Sequence, residues 1–320
     1  MNINNPKIWS LTDGSEGMIS QTRGLALEFT KEITEIKTDL IFPWNKLKPG
    51  ILPVYKWIFK NKIEIYDIPE IIISCGRKSV YLSIYLKKKF PKIINIHIQD
   101  PKVSAKNFNF IVAPNHDNFK GKNVINSVGA LHYFKDIKYS EKILDININN
   151  LVTFIIGGEN NHYIFTIKEG QNLCEKIKLL KIKNPELQFL IITSRRTNSN
   201  IKSLLEKELK SIGKLWLGKG KNPYKFALYN SRYFVITADS TSMISEASIS
   251  GKPIYIFKLP FKRKSIRFER FHSEFNQLNI TRDFEVTDNL NEWSYPKLDE
   301  SKRIAGIIKE RIIEGINESR

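Results

Sequence analysis

A chain of 320 residues is longer than one hydrophobic core ordinarily serves, so two domains of about 150 residues each are expected. Hydrophobic residues make up 41% and charged residues 26%, which excludes general disorder, and no run approaches the roughly 18 unbroken apolar residues of a membrane-spanning helix. Lys and Arg outnumber Asp and Glu by 51 to 33, a net charge of +18 that invites an anionic partner. That excess is dispersed through a chain rich in Ile and Asn, and no nucleic-acid-binding motif accompanies it, so nucleic acid is not an expected partner. Cys75 and Cys174 fall one in each half and suggest no disulfide framework, while the five histidines are scattered without metal-ligand spacing. No metal and no bound cofactor are expected. The polar opening MNINNPKIWS lacks a long apolar stretch, which predicts no signal peptide and a cytoplasmic protein, peripheral at most to the inner face of the cytoplasmic membrane.

In chain order, short β-branched runs predict strands at 7–12, 36–42, 70–74, 93–99, 110–113 and 123–127, with helices at 20–30 and 78–89. Between them, 42–59 (FPWNKLKPGILPVYKWIF) alternates Trp44, Tyr55, Trp57 and Phe59 with Lys46, Lys48 and Lys56. Aromatics among cations suit a membrane headgroup interface; the same stripe can equally pack on the first sheet. The polar DININN at 145–150 reads as a linker. Beyond it, strands are predicted at 151–156, 188–193, 214–217, 233–237 and 253–257, and helices at 163–183, 200–211, 223–229, 242–250 and 300–317. Strands alternating with helices demand crossovers and parallel sheets. The fold class is therefore α/β: two Rossmann-like domains, 1–148 and 149–299, followed by a helix at 300–320. The apolar stripe Ile304, Ile307, Ile308, Ile312 and Ile316 needs a surface to cover and is expected to lie across the domain junction.

In doubly wound sheets ligands lie beyond the carboxyl ends of the strands. In the second half those positions read GGENN, SRRTNSN, GKGKNPY and ADSTSMISEAS. Gly157 and Gly158, with Glu159, would let backbone approach a ligand, and Ser194, Arg195 and Arg196 offer a guanidinium clamp for phosphate. Asn222 followed by Pro223 makes a helix start beside Tyr224, and Trp216 suits core packing or base stacking. Asp239, Ser240, Thr241 and Ser242 open a helix whose free N–H groups favour a phosphate oxygen, and Glu246 falls one turn further in, either a ribose acceptor or a solvated helix residue. In the first half, Asp13 begins a Gly-containing turn without dinucleotide-binder spacing, and Asp117 beside His116 is a candidate general base or simply a hydrogen-bonded turn.

The ordered set WSLTDG, IHIQDP, APNHD, SVGALH, IIGGEN, TSRRT, NPY and TADSTSMISEASISGKPI resembles the "elongated mitochondria" mitochondrial-fission family of plants and its bacterial homologues, over residues 9 to about 257. The basic position after IHIQDP is filled by Lys102. The resemblance implies a GT-B-like fold of two facing domains with a terminal helix returning to the first, a nucleotide-diphosphate sugar as substrate partner on the second domain, and Glu246 as the ribose-holding carboxylate. It implies glycosyl transfer to an envelope glycan or glycolipid, or else a non-catalytic nucleotide-binding or membrane-recruitment role on the same scaffold; an anionic membrane surface is the partner that the net charge and the 42–59 stripe suggest.

Overall fold

The structure, a computed structural model, describes residues 5–61, 67–134, 148–284 and 289–318. The chain divides into two compact units, Met1–Tyr133 with Asp299–Arg320, and Phe134–Leu298. The linker expected at 145–150 lies outside the described residues except for Ile148–Asn150, a single 3-10 turn.

In the first unit six parallel strands are ordered β2-β1-β3-β4-β5-β6. They are β1 (Ile8–Thr12), β2 (Ile33–Lys37), β3 (Ile71–Cys75), β4 (Ile94–Ile98), β5 (Phe110–Pro114) and β6 (Val124–Ser127). The central strands are buried on both faces and read as continuous apolar runs, which is why the sequence reveals them. The sequence places β2 too late. Its residues, ITEIK, alternate with charge because this is the sheet edge, whereas the more apolar run after it packs Leu40 and Ile58 into an irregular segment against Tyr81. Likewise α1 spans Glu16–Ala26 instead of 20–30, starting directly after the turn in which Asp13 Oδ1 accepts from Ser15 N at 3.0 Å.

Helix α2 (Arg77–Lys89) covers one face of this sheet through Leu82 and Leu86. The other face, formed by Ile71, Ile73, Ile96, Ile98 and Val112, is covered by α1 and by the last helix of the chain, Glu300–Glu318. That last helix does return: Ile304, Ile308 and Ile312 are buried in the core of the first sheet with Leu25 and Phe29. Its start is fixed by Glu300 Oε2, which accepts from Val128 N at 2.8 Å, and by Arg303, which donates to Asn126 O at 2.7 Å. Gly24 permits the close approach, since a Cβ there would lie 2.4 Å from His132 O.

The second unit has the sheet order β12-β11-β10-β7-β8-β9, again all parallel. Its strands are β7 (Leu151–Ile156), β8 (Gln188–Thr193), β9 (Lys214–Trp216), β10 (Tyr233–Thr237), β11 (Ile254–Phe257) and β12 (Thr281–Asp283). The helices α3 (Ile167–Lys183), α4 (Ser199–Leu209), α5 (Tyr224–Asn230) and α6 (Thr241–Ser248) form the crossovers. Helix α3 begins at a reciprocal cap between Thr166 and Glu169, four residues later than expected. Helix α7 (Ile266–Gln277) and β12 were not anticipated, although Phe268, Phe271 and Phe275 mark α7's buried face. The last helix, Glu300–Glu318, is α8. The strand order reverses between β7 and β10, and this is where a doubly wound sheet opens a crevice.

Two outcomes follow. Ile308→Ala, which empties a fully buried site between α8 and the first sheet, should cost about 2–5 kcal/mol, read from urea midpoints. Burial holds the His97 imidazole at about 3, well below its ordinary 6.5. Only the unfolded chain then takes up that proton between those values, so stability present above pH 6.5 is lost as pH falls, by about 1.4 kcal/mol per unit. Urea midpoints at pH 7 and pH 5.5 should therefore differ less in His97→Asn than in the wild type.

Candidate functional site

At the switch point of the second sheet, the loops after β7, β8 and β10 are tied into one knot around a buried carboxylate. Asp239 follows β10, and its side chain is fully removed from solvent. Its Oδ1 accepts from Thr237 Oγ1 at 2.6 Å; its Oδ2 accepts from Gly158 N at 3.1 Å and pairs with Arg196 Nη2 at 2.6 Å. Burial pushes this carboxyl above the ordinary carboxylate range, and the guanidinium, hydroxyl and N–H donors pull it partly back. Thr237 Oγ1 also accepts from Gly157 N at 2.8 Å. From the β8 loop, Thr197 Oγ1 reaches Ile156 O at 2.9 Å, and Ser194 Oγ accepts from Arg196 N at 3.1 Å.

This arrangement separates the candidate residues into two groups. Arg196 and Asp239 hold the loops: Arg196 Nη2 is paired with Asp239, while the rest of its side chain stays exposed. Gly157 and Gly158 make room for protein as well: a Cβ at 157 would lie 2.1 Å from Asp239 Oδ1, and one at 158 would lie 2.1 Å from Arg196 O. The space these glycines leave open is occupied by Asp239 and by the β8 loop. Glu159, exposed, pairs with Lys262 at 2.9 Å. Arg195, in contrast, is exposed and makes no hydrogen bond or ion pair among the described residues.

Beside the knot, Ser240 caps α6, its Oγ accepting from Met243 N at 3.4 Å. The first N–H groups of the helix, at Thr241 and Ser242, have no partner within the helix, and both residues are half-buried. Glu246 sits one turn further on and is only 9% exposed, which removes the reading of a solvated helix residue. Its Oε2 accepts from Tyr224 Oη at 2.5 Å. Tyr224 is positioned in turn by Asn222, whose Oδ1 accepts from Tyr224 N at 2.9 Å, and by Phe134, 5.9 Å away ring to ring. Trp216 packs beside Tyr224 against Phe226 and Leu190.

The loop after β11 is a part of the site that sequence reasoning missed. It pairs with the β7 loop through Lys262 N to His162 O at 2.7 Å and Ile164 N to Pro260 O at 2.9 Å, and Tyr163 stacks on Phe261 at 4.7 Å. Next to it a cavity of about 530 Å³ is lined by Tyr163, Ala238, Leu259, Phe261, Glu269 and His272. His272 Nε2 lies 2.9 Å from Ala238 O, so that nitrogen carries the proton, and burial pushes the imidazole below its ordinary value. The aromatic LPF after the strand and the spacing of Phe268 and Phe271 are the signals that mark this wall.

Of the first-unit candidates, His116 is buried with its Nε2 3.8 Å from Asp117 Oδ1. Asp13 follows β1 and Asp117 follows β5, three strand spacings or about 14 Å apart, so they do not form one cluster. Among the described residues, no three His, Cys, Asp or Glu side chains converge on a metal-sized point, and no helix is long and apolar enough to cross a membrane. Cys75 is buried, and burial pushes its thiol up and away from reactivity.

Gly158→Ala should be among the most damaging single substitutions in the second unit, because its methyl would meet backbone and not a movable side chain. A loss of about 3 kcal/mol or more, or insoluble protein, is expected in denaturation and expression measurements.

The two-unit architecture recurs in solved structures. A UDP-GlcNAc 2-epimerase of Methanocaldococcus jannaschii aligns with a TM-score of 0.57 at 14% identity, covering 95% of this chain and 99% of that one. The Neisseria meningitidis UDP-GlcNAc 2-epimerase bound to UDP-GlcNAc gives 0.52 at 15% identity, covering 96% and 100%, and the glycosyltransferase of kitacinnamycin gives 0.51 at 12% identity, covering 97% and 94%. These likenesses establish the fold, which is of the GT-B class. In sequence, an uncharacterized Rickettsia prowazekii (strain Madrid E) protein, RP120, is 31% identical over 94% of this chain and 97% of its own length. The Arabidopsis thaliana mitochondrial fission protein ELM1 is 24% identical over 77% of this chain and 64% of its own length. Residues 16–312 match the family described as Mitochondrial fission ELM1, and this chain belongs to that family.

Proposed function

We propose that the second unit binds a nucleotide-diphosphate sugar and that the chain is a GT-B-type glycosyltransferase acting on a cell-envelope glycan or glycolipid. The observation that carries this reading is the opening of α6 at the switch point, with Glu246 buried one turn in and oriented by Tyr224. A helix start offers unpaired N–H groups and the positive end of its dipole, which favour phosphate. A buried, oriented carboxylate favours paired hydroxyls such as those of ribose, because it has already been desolvated on folding and little further desolvation opposes the new hydrogen bonds. Arg195, exposed in the neighbouring loop, supplies the cation for the diphosphate. The cavity beside α7, contiguous with Ala238, is assigned to the sugar. The solved UDP-GlcNAc-bound epimerase of the same fold supports a nucleotide-sugar ligand.

A second reading keeps the nucleotide and removes the chemistry, a binding or recruitment protein on the same scaffold, and it is favoured by kinship with the Arabidopsis fission protein. The two part on turnover. Both require binding, which a panel of nucleoside diphosphates in thermal shift tests first.

Glu246→Gln keeps size and helix and loses the charged acceptor. Against the best nucleotide it should weaken binding by about 1.5–3 kcal/mol, on the order of 10- to 150-fold in Kd, with an unchanged melting temperature for the free protein. Arg195→Ala should weaken binding by about 1–3 kcal/mol through the diphosphate. Isothermal titration of both variants decides; wild-type affinity in Glu246→Gln would move the nucleotide to another site.

A further inference from the structure

Residues 38–61 leave the sheet at the end of β2 and return to it only at β3, and they carry no regular element beyond one 3-10 turn, Lys56–Ile58. A segment of this kind ordinarily buries its apolar side chains. It buries only some of them. Leu40, Trp44 and Ile58 pack with Tyr81, and Trp44 Nε1 donates to Pro53 O at 2.9 Å. Helix α2 grips the segment from below: Arg77 donates to Leu47 O at 2.7 Å and to Asn45 O, Tyr81 Oη donates to Lys48 O at 3.0 Å, and Lys78 pairs with Asp39 at 2.7 Å.

Held in this way, the segment presents to solvent the side chains that a packed loop would hide. Phe42 is 75% exposed, Trp57 60%, Ile51 59% and Tyr55 47%. The Tyr55 and Trp57 rings stack at 5.7 Å, and Trp57 stands edge-on to Trp44 at 5.0 Å, so the exposed rings are pre-ordered, with little rotamer freedom left to lose. Lys46, Lys48 and Lys56 are exposed and form no ion pair among the described residues. Asp39, the one acidic residue of the segment, is already engaged by Lys60 and Lys78, which hold its carboxyl down at about 2.

We propose that 38–61 is a docking surface for an anionic lipid bilayer, with Phe42, Ile51, Tyr55 and Trp57 entering the headgroup region and Lys46, Lys48 and Lys56 meeting the anionic phosphates. Rigid amphipathic rings with unpaired ammonium groups match the chemistry of that interface, where Trp and Tyr lodge at headgroup depth and each Lys near the surface adds favourable energy. A protein partner would leave three unpaired lysines to be matched by acidic residues, whereas an anionic bilayer supplies the counter-charge continuously. The surface lies within the first unit and does not depend on the nucleotide reading.

The test is co-sedimentation of the full chain with vesicles of phosphatidylcholine alone and with about a third phosphatidylglycerol. Binding to the anionic vesicles only, weakened by salt, is expected. Lys46→Ala/Lys48→Ala/Lys56→Ala should lower the partition coefficient by about 100-fold at low ionic strength, at about fivefold per lysine. Phe42→Ala/Trp57→Ala should lower it at least tenfold while the melting temperature stays unchanged, since both rings are exposed in the folded state. Equal recovery with both vesicles, no recovery with either, or wild-type partition by the Phe42→Ala/Trp57→Ala variant would overturn the proposal. So would a concentration-dependent dimer in sedimentation velocity that the same variant abolishes, since this would assign the face to a second copy of the chain.

Discussion

A charge that has lost its water must find partners, and in the second unit that charge is Asp239. Its carboxylate is fully buried, so each oxygen is satisfied by protein: a hydroxyl from its own strand, an N–H from the β7 loop and a guanidinium from the β8 loop. Removing the Thr237 hydroxyl would leave Oδ1 without its donor, and removing Arg196 would leave the buried charge without its counter-ion, each at a cost that exceeds what the bond itself contributes. The three loops therefore stand or fall together. Because they are fixed relative to the sheet, α6 begins at a defined place, and the chemistry assigned to its first turn and to Glu246 inherits that rigidity. The site is built on strand ends held by an ion pair, the kind of support that keeps a binding constellation within a fraction of an ångström.

That constraint also explains what the sequence revealed and what it hid. Buried parallel strands announce themselves as apolar runs, so β7, β8 and β10 were legible to the residue, and the polar turns after them pointed to the right edge of the sheet. Individual roles were less legible. Arg195 and Arg196 are adjacent and chemically identical; only the fold shows that one closes on Asp239 and the other faces solvent. Gly157 and Gly158 looked like room for a ligand, but the atoms that fill the space come from Asp239, some 80 residues away, and from Arg196, some 40 away, beyond the reach of any local pattern. Glu246 shows the reverse. Nothing local distinguishes it from a surface helix carboxylate, and the hydroxyl that it accepts from belongs to Tyr224, on another crossover.

The misplaced elements share a cause. Strand β2 is an edge, and α7 presents a charged outer face around three phenylalanines; in both, one side faces water and dilutes the apolar signal. The aromatic segment 38–61 divides for the same reason. The sequence leaves two fates open for the stripe as a whole, an exposed interface or packing on the sheet, and the fold divides it: Trp44 and Trp57, in contact with each other, lie on opposite sides of the boundary between core and solvent.

The return of α8 to the first sheet has a consequence for how the chain acquires its shape. The second unit is one uninterrupted stretch, Phe134–Leu298, while the first is assembled from both sides of it. During synthesis every strand of the first sheet emerges before the second unit does, yet the face formed by Ile71, Ile73, Ile96 and Ile98 has only α1 to cover it until Ile304, Ile308 and Ile312 emerge. The nascent first unit thus carries an open apolar face for the time taken to translate 165 residues, counting Phe134 to Leu298 inclusive. At about 5–20 residues per second this is on the order of ten to thirty seconds, long enough for a chaperone to hold that face, whereas the second unit can close its own core as soon as it leaves the ribosome.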